Sequence, residues 1–124
     1  MMRLLKVAGL LLGLGLMTFP LMAEENTEQE VRYLIDSVEQ SGCSFERNGK
    51  SYAADDAADH LAMKYRRGKK YASSAENFID RLASKSSMSG KPYYIACSGT
   101  AKVTSGSWLH QRLAEMREGP EKAS

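Results

Sequence analysis

Apolar and polar positions along the chain follow two periods, one helical and one extended. A helical stripe begins after the first acidic residues and consists of Val31, Leu34, Ile35 and Val38. Thr27 and Glu30 have the spacing of a capping box, in which each side chain satisfies a free backbone N–H group of the other residue. The pattern therefore predicts a first helix that begins at Thr27 and stops at Gly42.

Three further helices are predicted. The Ala-rich segment from Ala54 to Arg66 fits the second helix, and a second capping box, Ser73 with Glu76, opens the third. The third helix is expected to end in the serine-rich segment from Ser84 to Ser89. The last helix has the apolar positions Trp108, Leu109, Leu113 and Met116 and should stop at Gly119-Pro120.

Extended segments lie between these helices. Cys43 to Tyr52 is predicted to form a hairpin around Asn48-Gly49, because that dipeptide tolerates the positive φ angles of a tight type I′ turn. Tyr93 to Cys97 has the clearest β-propensity and is expected to pair with the strand near Phe45, while Ser98 to Ser107 reads as a loop. The predicted fold is α+β, with about four helices packed on a small two- or three-stranded antiparallel sheet.

The first 23 residues have the features of a cleavable export signal. Arg3 and Lys6 give a positive start, an uncharged run follows from Val7 to Phe19, and the small Ala23 precedes two acidic residues. As a helix that run reaches only about 20 Å, less than the ~30 Å hydrocarbon core, which favours cleavage over a retained anchor. We expect cleavage after Ala23 and a periplasmic or secreted protein with no membrane span. Residues 24–124 would form one domain with its core at about 27–118.

Removal of the predicted export signal changes the balance between positive and negative charges. The whole chain has 17 Lys and Arg and 15 Asp and Glu, a net charge of +2. Arg3 and Lys6 lie in the export signal, so the net charge of the mature part is close to zero. The apparent basicity of the chain therefore gives no indication of a nucleic-acid or membrane partner.

Two cysteines, Cys43 and Cys97, allow one intramolecular disulfide. The compartments that receive exported proteins are oxidising, which allows disulfides to persist. A bridge between Cys43 and Cys97 closes a long loop, which stabilises a small domain by roughly 4 kcal/mol. The alternative is a redox or metal-binding pair, but such pairs usually stand as Cys-x-x-Cys, and these two are over 50 residues apart. We therefore expect a structural disulfide.

A series of short motifs lies between Phe45 and Tyr93, with a looser continuation at Trp108-Leu109. In order they are Phe45-x-Arg47-Asn48-Gly49, then Ala57, His60-Leu61 and Lys64, then Ala75-Glu76-x-Phe78-Ile79, then Ser84-x-Ser86-Ser87-x-Ser89-Gly90-Lys91-Pro92-Tyr93. This order resembles the YfeK-like family of small exported bacterial proteins, a domain of unknown function. The resemblance implies a signal peptide and a single small domain, and it implies no known activity. The cysteines are not part of the motif.

Two of these motifs supply candidate binding residues. The guanidinium of Arg47, beside Asn48, suits bidentate recognition of a carboxylate or phosphate; the alternative is a turn with a surface salt bridge. The second motif offers hydroxyls and one cation to an oxyanion, although capping and turn formation also explain its residues: Ser86, Ser87, Ser89 and Lys91. It is not a phosphate-binding P-loop, because a proline and a strand follow the lysine.

His60 lies one helical turn from Asp56 and Lys64, a spacing that can orient an imidazole for acid/base chemistry or metal binding. The alternative is a hydrogen-bonded structural histidine. We predict no metal site, because the only other histidine, His110, belongs to a different helix. His60 and Glu76 are the catalytic candidates, and neither belongs to a complete catalytic motif.

A run of five cations lies between the second and third helices and can contact an acidic surface or form a solvated loop: Lys64, Arg66, Arg67, Lys69 and Lys70.

These features predict a non-enzymatic binding or accessory module of the bacterial cell envelope that uses Arg47, His60 and the Ser86 to Lys91 turn. We predict no cofactor, and the expected partner is an envelope protein or an anionic envelope component. The alternative function is a small hydrolase of envelope material, with His60 as general base, Glu76 as its partner and Lys91 stabilising an oxyanion. A purely structural role is a third possibility.

Overall fold

A computed structural model describes the backbone of residues 19–123 and the side chains of residues 26–119. Within these ranges the chain forms four helices and a four-stranded antiparallel sheet. The helices are α1 (Phe19–Glu39), α2 (Ala54–Arg67), α3 (Ala75–Phe78, continued as a π-helical turn over Ile79–Ala83) and α4 (Ser105–Ala123), with a 3₁₀ turn at Lys69–Tyr71. The strands are β1 (Ser44–Arg47), β2 (Lys50–Tyr52), β3 (Tyr94–Ala96) and β4 (Val103–Thr104). The predicted α+β class is confirmed. Residues 1–18, most of the predicted export signal, lie outside the described residues. Cleavage after Ala23 stays a prediction.

Helix α1 begins before the predicted start at Thr27. The chain is already helical from Phe19, and Pro20 stands in the first turn, where the N–H group that proline lacks has no intrahelical partner to lose. Thr27 therefore lies inside the helix and has no free end to cap. Its hydroxyl contacts the carbonyl of Ser73, 3.4 Å away, at the start of α3.

The predicted hairpin at Asn48-Gly49 is confirmed. Arg47 pairs with Lys50, so the loop has two residues, and φ is 52° at Asn48 and 79° at Gly49. Both angles are positive, as a type I′ turn requires. The turn fixes the end of β1, and therefore the position of Arg47.

Strand β1 is central in the sheet, whose order is β2-β1-β3-β4. Phe45 pairs with Ile95 of β3, as the sequence predicted. One residue beyond the β1–β3 ladder, the predicted disulfide joins Cys43 to Cys97, with the two Cα atoms 4.3 Å apart. The fourth strand, β4, was missed; it lies in the segment predicted as a loop because its two residues are too short to show a period.

Helix α3 begins one residue later than its predicted capping box. The Ser74 hydroxyl accepts the backbone N–H of Asn77 at 3.1 Å, whereas the Ser73 hydroxyl accepts from the side-chain amide of Asn77 at 2.7 Å. Both serines fit a cap by type, so the sequence did not separate them. The last helix departs from helical geometry at Gly119, with φ 69°, where its stop was predicted.

The core lies between the helices and the inner face of the sheet. Its largest fully buried side chains are Phe78, Leu34, Ile79, Ile95 and Leu109. Side chains alternate along a strand, so Arg47, two residues after Phe45, projects from the same inner face and meets α2 at the edge of the core. No helix within residues 19–123 is long and apolar enough to cross a membrane.

Candidate functional site

Arg47, at the end of β1, reaches across to α2. Its Nη1 atom lies 3.2 Å from Nε2 and 3.3 Å from Nδ1 of His60, and its Nη2 atom donates to the hydroxyl of Tyr52 at 3.1 Å. Among the side chains of residues 26–119, no carboxylate forms an ion pair with this guanidinium. The salt bridge considered for Arg47 is therefore not formed within that range.

Lys64 is one helical turn after His60 on α2, and it is a buried cation, only 8% exposed. Its Nζ atom donates to the backbone carbonyl of Lys85 and to the hydroxyl of Tyr93, each at 3.1 Å. The Lys85 carbonyl follows the π-helical turn, which the Ser84 hydroxyl closes by donating to the carbonyl of Ile79 at 2.6 Å. Both partners of the ammonium group are neutral.

The Tyr93 hydroxyl lies between Lys64 and His60, and His60 in turn contacts Arg47. It lies 3.3 Å from Nε2 of His60 as well as 3.1 Å from Nζ of Lys64. The backbone of Tyr93 is held on both sides, since its N–H donates to Ser84 and its carbonyl accepts from Ser105, each at 2.9 Å. We refer to Arg47, His60, Lys64 and Tyr93 as the basic cluster.

Burial, together with neighbouring positive charge, lowers the pKa of both His60 and Lys64. Burial lowers the pKa of His60, and the charges of Arg47 and Lys64 lower it further. Burial, followed by the charge of Arg47, lowers the pKa of Lys64. Burial also raises the pKa of the Tyr93 phenol, a shift that Arg47 opposes. Among the described side chains, neither Arg47 nor Lys64 forms an ion pair.

Two cavities adjoin the basic cluster, and Arg47, His60 and Tyr93 line both of them. The larger cavity, about 460 Å³, also has Lys64 and Arg67 in its wall; we call it the groove. The smaller cavity, about 230 Å³, extends from the cluster toward Phe45 and Leu61 and is called the chamber. The cluster forms the boundary that the two cavities share.

Most of the predicted binding residues meet in the groove. Its walls include six of them: Arg47, Asn48, His60, Lys64, Ser86 and Ser87. Ser89 lies beside it and donates to Oδ1 of Asn48 at 2.7 Å, which ties the serine-rich loop to the hairpin. Lys91 is exposed and does not line either cavity.

The serine-rich loop satisfies many of its own polar groups, as the turn interpretation predicted. The buried Ser86 hydroxyl accepts the N–H of Ser89 at 3.3 Å, and the Ser86 N–H donates to the carbonyl of Lys91 at 2.9 Å. The N–H of Lys91 in turn donates to the hydroxyl of Ser89 at 3.2 Å. Of these serines, Ser87 is exposed and lines the groove.

The proposed acid/base pair of His60 and Glu76 is not assembled. Glu76 bonds to Arg117, which also bonds Glu30 and joins α3 to α1 and α4. The Arg117 hydrogen bond lowers the pKa of Glu76 to about 2. Glu76 lines neither the groove nor the chamber, and the described side chains include no group of three residues suited to a metal.

The predicted run of cations divides between different surfaces. Lys64 and Arg67 line the groove, three residues apart on one face of α2. Lys69 instead pairs with Glu28 at 3.3 Å, and Lys70 lies over the ring of Tyr71. Within this run, Lys64 and Arg67 therefore line the groove, whereas Lys69 and Lys70 do not.

Two tyrosines of the site were missed in the sequence. Tyr93 was assigned only to a strand, yet it lies two residues before Ile95, so alternation alone places it on the inner face. Tyr52 lies opposite Phe45 across the hairpin and shares the same face. The hairpin register therefore contained the signal that would have found both residues.

Comparisons with known proteins are consistent with the resemblance found in the sequence. The sequence profile of a family described as a family of unknown function (DUF5329) matches residues 25–117. The chain is also 36% identical over 81 residues to the uncharacterized protein YfeK of Salmonella typhimurium, an alignment that covers 63% of this chain and 68% of that protein. No solved structure matches the chain.

Proposed function

Because this chain belongs to a family of unknown function, DUF5329, we propose its role from the geometry of the site. The protein is a non-enzymatic binding module of the bacterial cell envelope that binds an anionic ligand in the groove. One observation carries the proposal: Arg47 and Lys64 point into a shared site in which their hydrogen-bond partners are all neutral.

Burying a cation without a counter-charge is unfavourable, since the desolvation cost is several kcal/mol for an ion in a protein interior. Lys64 has that burial, and the nearby Arg47 makes it worse by repulsion, as the lowered pKa of Lys64 indicates. An anion in the groove would offset both penalties. A carboxylate or phosphate suits the planar donor fork of Arg47, and the ammonium group adds a second charge.

A binding role fits this geometry better than the hydrolase alternative. The hydrolase alternative pairs His60 with Glu76, and Glu76 is engaged by Arg117 and lines neither cavity. His60 instead contacts Arg47, whose positive charge opposes the imidazolium that a general base forms.

The envelope location is supported by the predicted export signal and by the Cys43–Cys97 disulfide, because such bridges persist in oxidising compartments. N-terminal sequencing of the protein isolated from its native host tests this part. We expect the mature chain to begin at Glu24 in the periplasmic or secreted fraction. Recovery of the uncut chain from the cytoplasm would contradict the proposed location.

Calorimetric titration tests the binding role. Inorganic phosphate and malonate are the probes, and the disulfide-bonded protein is compared with Arg47→Met and Lys64→Met. We expect measurable affinity for at least one probe and a loss of tenfold or more in each variant. The matched control is Lys91→Met, which removes an exposed cation outside both cavities. Equal affinity in all four proteins, or none in any, would overturn the proposal.

A further inference from the structure

The chamber differs in chemistry from the groove, although Arg47, His60 and Tyr93 line both. Beyond these shared residues, its wall is mostly hydrocarbon and aromatic, from Phe45, Tyr52, Ala57 and Leu61. Its polar lining comes from these shared residues and from Glu46, Asp56 and Ser105. A ligand in the chamber would therefore meet carbon on several sides, with the guanidinium of Arg47 among the polar groups.

The other polar residues of the chamber are engaged or exposed. The Ser105 hydroxyl donates to the carbonyl of Ala83 at 3.1 Å. Glu46 pairs with Lys102 at 3.1 Å, and Asp56 is exposed and forms no ion pair with Arg47 among the described side chains. The chamber interior therefore presents few polar groups that a ligand would need to satisfy.

The size of the chamber indicates what it can hold. A cavity of about 150 Å³ lined by apolar side chains is known to accept benzene. At about 230 Å³, the chamber has room for one aromatic ring with a short substituent. It is too small for a long acyl chain or a disaccharide held inside it.

Arg47 lines both cavities, so an anion bound to its guanidinium can carry a substituent into the chamber. We infer that the ligand is a small amphiphilic anion, a carboxylate or phosphate bearing one ring-sized apolar group. The anionic group binds Arg47 and the apolar group occupies the chamber between Phe45 and Leu61. This inference rests on the proposed anion-binding function and adds the class of ligand.

The test is a set of matched probes titrated into the unmodified, disulfide-bonded protein. Acetate carries the charge alone, phenylacetate adds the ring, and phenylacetamide keeps the ring without the charge. We expect phenylacetate to bind at least tenfold more tightly than acetate and at least tenfold more tightly than phenylacetamide. That order requires both the guanidinium and the chamber.

A chamber-filling variant supplies the second arm. Ala57→Leu adds three carbons from α2 to the chamber wall, and we expect it to remove the advantage of phenylacetate over acetate. Thermal unfolding of the variant verifies that it folds, and the probe comparison on the unmodified protein stands without it.

The outcomes separate the two claims. Equal affinity for acetate and phenylacetate would overturn the inferred ligand class and leave the anion site intact. Equal affinity for phenylacetate and phenylacetamide would also overturn the inferred ligand class, because the charge would then contribute nothing, while phosphate binding tests the anion site separately. Absence of binding by acetate, phenylacetate and inorganic phosphate together would remove the proposed function itself.

Discussion

Lys64 has a buried ammonium group whose described partners are a carbonyl and a phenol. A structural lysine in such a place normally pairs with a carboxylate, because the pair offsets part of the desolvation cost. Here the buried charge carries a cost in the folded chain, which the proposed ligand anion would offset. Natural binding sites often hold groups that are unfavourable for stability in this way.

Replacing Lys64 by methionine should therefore separate stability from binding. The thioether fills a similar volume and removes the buried charge, while the two hydrogen bonds that the ammonium group donates are lost. We expect the free energy of unfolding to change by no more than about 1 kcal/mol. Chemical denaturation measures it. A loss above about 3 kcal/mol would show that Lys64 is a structural cation.

His60 makes stability depend on pH near neutrality. Its pKa in the folded protein is lowered, chiefly by burial and further by Arg47 and Lys64, from an unfolded value of about 6.5. The folded state therefore binds fewer protons than the unfolded state below that value. The contribution of His60 to the free energy of unfolding is fully present above the unfolded pKa. It declines as pH falls from about 6.5 toward the folded pKa.

Urea denaturation at pH 7.5 and 5.5 measures this dependence. We expect His60→Gln to lose less stability between the two pH values than the unmodified protein does. His110→Gln is the control, since His110 contacts Asp80 on the surface, outside both cavities. The titratable and charged groups that line the two cavities with His60 are Glu46, Arg47, Tyr52, Asp56, Lys64, Arg67, Tyr71 and Tyr93. An unchanged pH dependence in His60→Gln would contradict the assignment.

At the scale of elements, the β1–β2 hairpin positions Arg47 beside the face of α2 on which His60 and Lys64 lie. Its two-residue turn needs positive φ at both positions, and glycine meets that need at Gly49 without steric cost. The hairpin is also tied to the serine-rich loop by the bond from Ser89 to Asn48. The groove thus depends on the turn.

Gly49→Ala should weaken both stability and binding. A side chain at φ 79° costs roughly 1 kcal/mol or more, and the strain falls next to Arg47. Gly99→Ala is a matched control, with φ 81° and open space around the added carbon, as at Gly49. We expect comparable losses of stability by denaturation in both variants, and weaker phosphate binding by calorimetry only in Gly49→Ala. Equal binding in the two variants would contradict the role of the turn.

Elements defined by local chemistry were predictable, and those defined by distant partners were not. The Asn48-Gly49 hairpin and the stop at Gly119 follow from backbone preferences of single residues. Strand β4 forms because Val103 pairs with Ile95. The two residues of β4 carry no sequence pattern that predicts this pairing. The π-helical turn depends on how Ile79–Ala83 packs, which no spacing rule encodes.

The candidate site was predicted in its residues but not in its arrangement. Arg47, His60 and Lys64 were chosen for their chemical types, and the groove brings them together. Their connection through the Tyr93 hydroxyl depends on the register of β1 with β3, which places Tyr93 across from α2. Glu76 was excluded from the site by Arg117, a partner 41 residues away in sequence.

At the scale of the whole molecule, the disulfide joins two residues 54 apart in sequence, and the segment between them contains α2, α3 and every residue that lines the groove. It fixes the β1–β3 ladder at one end, while Arg47 lies toward the other. The bridge therefore limits the unfolded chain more than it shapes the site. Its loss should reduce stability with little effect on the geometry of the basic cluster.

The double variant Cys43→Ala, Cys97→Ala tests this separation. We expect the free energy of unfolding to fall by roughly 4 kcal/mol, as chain entropy predicts for so long a loop. Phosphate affinity should stay within about threefold at a temperature where the variant is folded. Intact mass of the unmodified, non-reduced protein should be lower than that of the dithiol by two hydrogen atoms. Two alkylatable thiols in protein from its native compartment would contradict the bridge.

The central claim is that the basic cluster is an anion site, and an NMR titration with inorganic phosphate tests it most directly. The account predicts saturable shift changes concentrated at Arg47, His60, Lys64 and Tyr93, with little change at Lys102, an exposed cation paired with Glu46. Changes spread evenly over exposed cations, or centred on Lys69 and Lys70 with the cluster unmoved, would contradict it.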